Sequence, residues 1–274
     1  MGETQRNLRW EEMTSVEFSE AVVATGGVCV IPMGCLERHG DHLPLGTDVF
    51  HSRELAERAI RQEPAVLFPP NFFGWIHDGK HRPGAVALRP ELMVGLLENA
   101  CEEAARNGLK KIVILNGHGG NEPFLDYFVW KRLEKPESYQ VYLLRLRDWL
   151  PTPKEMAEEL DNPDVGHGCE FETSIMLSSK PDLVHMGRAK ALTEPLGRLT
   201  HLPPMRVAWF WYADWPDHMA GDPTSATKEK GEKLMAIGVK KVAAAIKAVR
   251  EDCEMERLQT AYFRKVGAPL GAGE

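Results

Sequence analysis

No run of five or more lysines and arginines occurs in the 274 residues, and 33 Lys+Arg against 40 Asp+Glu leave a net charge of −7. No global positive field exists to hold nucleic acid. No C-x-x-C pair is present, and the five cysteines, Cys29, Cys35, Cys101, Cys169 and Cys253, are odd in number and widely spaced. That spacing argues against a disulfide framework and for a reducing cytoplasm. The longest uncharged stretch, Ala21 to Leu36, contains Gly26, Gly27 and Pro32 and falls short of the roughly 20 apolar residues a membrane helix needs. The opening MGETQRNLRWEEM is polar and acidic, unlike a signal peptide. Neither a Gly/Ser linker nor a fixed-period repeat divides the chain, so residues 1–274 are expected to form one domain.

What is present alternates between strand and helix. VCVIPM (Val28 to Met33) and KKIVILN (Lys110 to Asn116) are apolar without alternation, as strands covered on both faces are. AVLFPP (Ala65 to Pro70) and QVYLLRL (Gln140 to Leu146) are further strand candidates. Thr14-Ser15-Val16-Glu17 has capping-box spacing and opens a helix expected to end near Gly26-Gly27. Thr47 or Asp48 is expected to cap a second helix, to about Arg61. Arg89-Pro90 opens a third, with Leu92, Leu96, Leu97 and Ala100 on one face, and EPFLDYFVWKRLE reads as a fourth. Asp148 to Gly168 reads as loop, EFETSIMLSS as a helix, Leu183 to Pro223 as irregular, and Thr227 to about Leu258 as one long helix. The expected fold class is α/β, a three-layer α/β/α arrangement around a mostly parallel sheet.

Three segments carry chemistry. CLERHGDHLPLGTD places Glu37, His39, Asp41, His42 and Asp48 directly after a buried strand, with His51 one turn further. In extended Glu37-Arg38-His39 the carboxylate and imidazole face the same side. Mixed oxygen and nitrogen donors of this kind suit zinc, iron or manganese. NGHGGN (Asn116 to Asn121) is a glycine turn after the second strand, and it brings His118 to the same sheet edge if the strands are neighbours. It lacks the lysine of a phosphate-binding P-loop. GHGCEFETS (Gly166 to Ser174) offers His167, Glu170 and Glu172 at a helix start, where acidic residues also serve as ordinary capping. Trp75, His77, Asp78, Lys80, His81 and Arg82 crowd one stretch, suiting a hydroxyl- or phosphate-bearing substrate and equally a subunit contact. Trp209, Trp211 and Trp215, with Asp214 and His218, read first as core packing and second as a binding wall.

Taken together and in this order, ERHGDHLPLGTD, NGHGGN and HGCEFETS resemble the creatininase family of metal-dependent amidohydrolases, over nearly the whole chain from about residue 8. The resemblance implies a central parallel sheet, assembly as a homo-oligomer (often a hexamer) and two divalent metal ions per subunit, Zn, Mn or Fe. It implies that Glu37 and His39 bind one metal each, that Asp48 bridges both and that His118 adds a nitrogen. The enzyme that names the family carries a glutamate two positions after the turn histidine, where Gly120 stands here. The resemblance therefore points to Glu172 as the fifth ligand, with Glu170 as fallback. His167 matches the proton-shuttling histidine, with Glu170 as a second catalytic candidate, and His42, Trp75, His77, His81 and Asn121 are candidates for substrate contact. The implied activity is hydrolysis, a metal-activated water attacking a carbonyl of a small polar substrate such as a cyclic amide or formamide. Members with N-G-H-G-G-N also include a peptidase that trims a redox-cofactor precursor and a hydrolase opening an oxidised inositol ring by C–C cleavage. Two other classes remain open on the residues alone: a non-catalytic assembly that metals only stabilise, and a polyol-phosphate binder.

Overall fold

A computed structural model describes residues 7–164 and 166–271. Helix α1 (Ser15–Ala24) opens on the expected capping box, with Thr14 accepting from the Glu17 N–H and the Glu17 carboxylate accepting from the Thr14 N–H. Strand β1 (Val28–Met33), helix α2 (Thr47–Gln62) and the two-residue strand β2 (Val66–Leu67) follow. Next come α3 (Pro90–Arg106), β3 (Lys111–Asn116), α4 (Glu122–Trp130) and β4 (Gln140–Leu144). The four strands form one parallel sheet in the order β2-β1-β3-β4. Every residue of β1 is buried, and each fully buried Val or Ile there contributes about 1.5–3 kcal/mol. Helices lie on both faces of the sheet, the α/β architecture expected.

Four local expectations are corrected. The stretch read as loop holds α5 (Leu146–Trp149) and α6 (Pro153–Glu159), the latter begun by a Thr152–Glu155 capping box with proline in its first turn. After α7 (Glu170–Ser179) and the short α8 (Phe210–Asp214), the long terminal helix is two helices, α9 (Lys228–Glu251) and α10 (Glu254–Val266). The Asp252 carboxylate accepts from the N–H groups of Glu254 and Met255 and starts the second. On α3 the buried face runs through Met93, Leu97, Cys101, Ala104 and Ala105, leaving Leu92 and Leu96 exposed. None of the three late tryptophans is core, and Trp209 is 72% exposed.

His51 lies on α2, buried edge-on against the Trp149 ring at 5.1 Å, and its Nε2 has no hydrogen-bond partner. Burial lowers its pKa from 6.5 to about 4. A histidine whose folded pKa is depressed contributes full stability above its unfolded pKa and loses it as pH falls from about 6.5 toward 4. Between pH 7 and pH 5 that loss is about 2 kcal/mol. In metal-free protein, His51→Leu is expected to flatten the fall in thermal midpoint over that range; an unchanged fall would show that His51 is not an acid-sensitive site.

Candidate metal centre and active site

Strands β1 and β3 are neighbours and end together, Met33 paired with Asn116. The strand order reverses between them, because the chain passes from β1 to β2 on one side and later adds β3 on the other. Such a switch point opens a crevice at the carboxyl ends of the strands. Cys35 and Glu37 enter it just past β1, and His118 enters it just past β3. The third contribution is Asp48, in the first turn of α2. A Cβ at Gly34 would lie 2.4 Å from the Val49 nitrogen, so α2 begins directly against the end of β1. Gly46 occupies the helix-cap position, and neither Thr47 nor Asp48 acts as the cap.

Asp48 aims one oxygen each way. Its Oδ1 lies 3.0 Å from His39 Nε2, and its Oδ2 lies 3.0 Å from His118 Nδ1 and 3.2 Å from Cys35 Sγ. Glu37 Oε1 is 2.8 Å from His118 Nδ1 and 3.9 Å from His39 Nε2. Glu172, at the start of α7, brings Oε2 to 3.8 Å from His39 Nε2 and accepts from the Gly168 N–H. Three groups of donor atoms each lie within 4.8 Å of one another: Cys35, Glu37, Asp48 and His118; Glu37, His39 and His167; His39, Asp48 and Glu172. The sequence-predicted Glu37, His39, Asp48, His118, Glu172 and His167 are thus brought together.

The donor set fits divalent cations. Among the described residues no Lys or Arg pairs with Glu37, Asp48 or Glu172, and buried Glu37 Oε1 meets only imidazole nitrogens. Buried charge in this state is ordinarily paired or metal-bound. Each histidine is oriented by its other nitrogen: His118 Nε2–H donates to the Trp75 carbonyl at 3.0 Å, and His39 Nδ1–H to the Glu37 carbonyl at 3.3 Å. The free nitrogens then face the carboxylates, the pattern of ligating imidazoles. Burial opposes the charge on Glu37, yet the His118 charge and hydrogen bonds from His118 and His218 hold its carboxyl well below the ordinary range. Burial would lower His39, but Asp48 and Glu172 outweigh it and raise its pKa to about 10. Burial, with Asp48 adding to it, pushes Glu172 up to about 7. Protons on the imidazoles therefore balance the carboxylates when no cation does, and a cation displaces them.

Two further groups complete the surroundings. His167 stacks on His39 with ring centroids 4.0 Å apart, and its Nε2–H donates to the Arg38 carbonyl at 2.7 Å. Burial and the His39 charge lower its pKa to about 3, so it stays neutral. His218, which the motifs did not single out as part of this site, sits 181 residues from Glu37 in sequence, and its Nε2 is 2.6 Å from Glu37 Oε2. The Trp211 indole N–H, which can only donate, donates to His218 Nδ1 at 3.1 Å. The proton of neutral His218 is thereby placed on Nε2, which donates to Glu37 and leaves Oε1 for a cation. His218 adopts φ 52°, at a cost on the order of 1 kcal/mol for a non-glycine residue. His218→Ala is expected to weaken metal binding roughly 10–100-fold, the scale for an outer hydrogen-bond partner. Titration against a chelating dye measures it, and unchanged affinity would remove His218 from the site.

Other candidates fall elsewhere. Glu170 does not join the cluster: it is fully buried, pairs with the Lys230 ammonium and accepts from the Asn162 N–H at 2.7 Å. Asn121 is buried and accepts from the Trp75 N–H at 2.8 Å, holding the segment whose carbonyl orients His118. A Cβ at Gly120 would lie 2.4 Å from His118 Nε2 and 2.5 Å from the Trp75 oxygen, so no side chain fits there while that hydrogen bond stands. His42 is buried against Thr173 Oγ1 at 2.9 Å. His77 packs its ring 4.7 Å from Trp75, and His81 hydrogen-bonds the carbonyls of Asp78 and Pro216. Through His81 and an Arg82–Asp217 ion pair, the segment around residues 75–82 meets that around 211–218.

Comparison with known proteins identifies the family. Residues 11–246 match the family described as creatinine amidohydrolase. The creatinine amidohydrolase of Pseudomonas putida is 27% identical over 253 residues, covering 86% of this chain and 95% of that protein. The mycofactocin precursor peptide peptidase of Mycolicibacterium smegmatis is 31% identical over 81% of this chain and 85% of its own length. The 3-dehydro-scyllo-inosose hydrolase of Thermotoga maritima is 26% identical over 74% and 71%. A zinc–zinc form of a mutant creatininase superposes with a TM-score of 0.76 at 26% identity, covering 90% of this chain and 99% of that one. With that match spanning most of its length and the fold in agreement, this chain belongs to the creatininase family of metal-dependent hydrolases.

Proposed function

We propose that residues 1–274 act as one domain that hydrolyses a C–N bond of a small polar substrate, a cyclic amide or a formamide, with two divalent cations. The observation that carries the reading is the convergence of buried Glu37, His39, Asp48 and His118 with half-buried Glu172, with no Lys or Arg among the described residues pairing with these carboxylates. Asp48 belongs to both halves of this set through its two oxygens. When bound, such cations polarise a carbonyl and bring the pKa of a bound water toward about 7.

The chain's own residues do the rest. His167, stacked on His39 and held by the Arg38 carbonyl, is the group that relays a proton from the attacking water to the leaving nitrogen. Trp211 meets the His167 ring edge-on, and the Trp75–His77 pair lies on the segment whose carbonyl orients His118; flat aromatic surface beside polar nitrogens suits a small ring with carbonyl and N–H edges. Asn121 holds the Trp75 backbone, His42 is fixed against Thr173 of α7, and His81 ties the two loop segments together.

The same reading makes the protein a cytoplasmic homo-oligomer. All five cysteines are free, and α3 and α4, with Glu98 of α3 paired to Lys131 just past the end of α4, expose Leu92, Leu96, Tyr127 and Trp130. No helix among the described residues is long and apolar enough to cross a membrane.

The test is a screen of zinc-, manganese- and iron-loaded protein against cyclic amides, formamides, short peptides and oxidised cyclitols. Turnover of a C–N substrate that ceases on chelation supports the reading. Turnover of an oxidised cyclitol alone would replace it with ring opening by C–C cleavage, and a protein that binds no metal would overturn it.

A further inference from the structure

We propose that Cys35 is a thiolate ligand, so that the two cation positions are unequal: one closed by four side chains, the other left open. This rests on the dinuclear reading above and adds a sulfur donor to it. Cys35 is fully buried just past the end of β1, with Sγ 3.2 Å from Asp48 Oδ2. Cys35, Glu37, Asp48 and His118 form one four-donor group with every ligand atom within 4.8 Å of the others. One sulfur, one nitrogen and two carboxylates make the donor count of a closed tetrahedral zinc site. The second group, His39, Asp48 and Glu172, has three donors, the count of a catalytic site that keeps a position for water or substrate.

Two independent features place a cation beside this sulfur. Buried Glu37 Oε1 meets only imidazole nitrogens, His118 Nδ1 at 2.8 Å and His39 Nε2 at 3.9 Å, whereas Glu37 Oε2 is satisfied by His218. Asp48 sends Oδ2 to Cys35 and His118 and Oδ1 to His39, one oxygen to each group. Three other cysteines, Cys29, Cys101 and Cys169, pack in the apolar core, and Cys253 is exposed. In the cation-free state the thiol hydrogen-bonds Asp48, and a coordinating thiol is deprotonated outright. A thiolate also sets preference: the closed position takes zinc, or cobalt as a probe, over manganese or magnesium, and the open position is the more permissive.

The test is cobalt(II) titration of the metal-free full-length protein. The wild type is expected to develop a strong near-ultraviolet thiolate-to-cobalt charge-transfer absorption that saturates at one cobalt per chain, while visible ligand-field bands grow to two. Cys35→Ser retains the other four cysteines, so it is expected to lose the charge-transfer absorption and to bind its tighter ion at least roughly tenfold more weakly. Chelator should strip the wild type in two phases and the variant in one. Stoichiometric cobalt binding by the wild type without charge-transfer absorption overturns the proposal and leaves the dinuclear reading standing. Persistence of the absorption in Cys35→Ser also overturns it. A wild type that binds no cobalt overturns both readings. The wild-type spectrum decides even if the variant fails to fold.

Discussion

Asp48→Ala is expected to lose both cations and all measurable hydrolysis. Among the described residues no other side chain belongs to both the Cys35–Glu37–His118 group and the His39–Glu172 group. Asp48 is 3% exposed, and a water filling the space left by its carboxylate would bring no charge to either cation. Removing it costs each cation a charged donor and takes from His39 and His118 their 3.0 Å carboxylate contacts. The expected fall in kcat/KM exceeds about 10³-fold, the scale for losing one preorganised charge-stabilising group. Elemental analysis should find less than one metal per chain. The fold should persist, because the start of α2 is seated by its backbone contact with Gly34 and not by the Asp48 carboxylate. An Asp48→Ala protein that keeps two metals and wild-type turnover would end the dinuclear reading.

The parts of this site legible in the sequence share a physical reason. Strands buried on both faces leave unbroken apolar runs, so the ends of β1 and β3 are visible, and donors placed directly after such ends lie in the crevice by topology alone. Glu37, His39 and His118 are of this kind. Asp48 is legible through its spacing from them, although its helix position suggested a cap. His218 has no such signal. It sits in irregular backbone at positive φ, and its contact with Glu37 depends on how two distant loops fold over each other. Helix α6 was legible in principle: Thr152-Pro153-Lys154-Glu155 is a capping box with proline at the first position, but the proline reads more readily as a loop. The stripe on α3 slips by one position because leucines at 92 and 96 sit beside the true inner face, where exposure and burial differ by a 100° turn.

Glu170 and Glu172 stand two residues apart on α7, and their isosteric amides are expected to fail in opposite ways. Glu172→Gln should weaken one cation by at least roughly 10–100-fold, since Glu172 is one of only three donors in the open group. Its folded pKa, about 7, lies above the 4.5 of a free glutamate, so its charge at neutral pH costs the metal-free protein stability. The metal-free variant should therefore melt at or above the wild-type temperature. Glu170→Gln removes the carboxylate that pairs with Lys230 and holds the Asn162 N–H, in full burial. Lys230 keeps Asp161 at 2.7 Å and the Ser225 carbonyl at 2.9 Å, so the expected loss is about 3 kcal/mol, the lower end for a broken buried pair. That lowers the melting temperature by about 5–10 °C, while metal content and kcat/KM stay near wild type. Thermal melts of metal-free protein beside metal titrations separate the two roles. Loss of metal from Glu170→Gln and its retention by Glu172→Gln would transfer the fifth ligand to Glu170, against the 3.8 Å approach of Glu172 to His39.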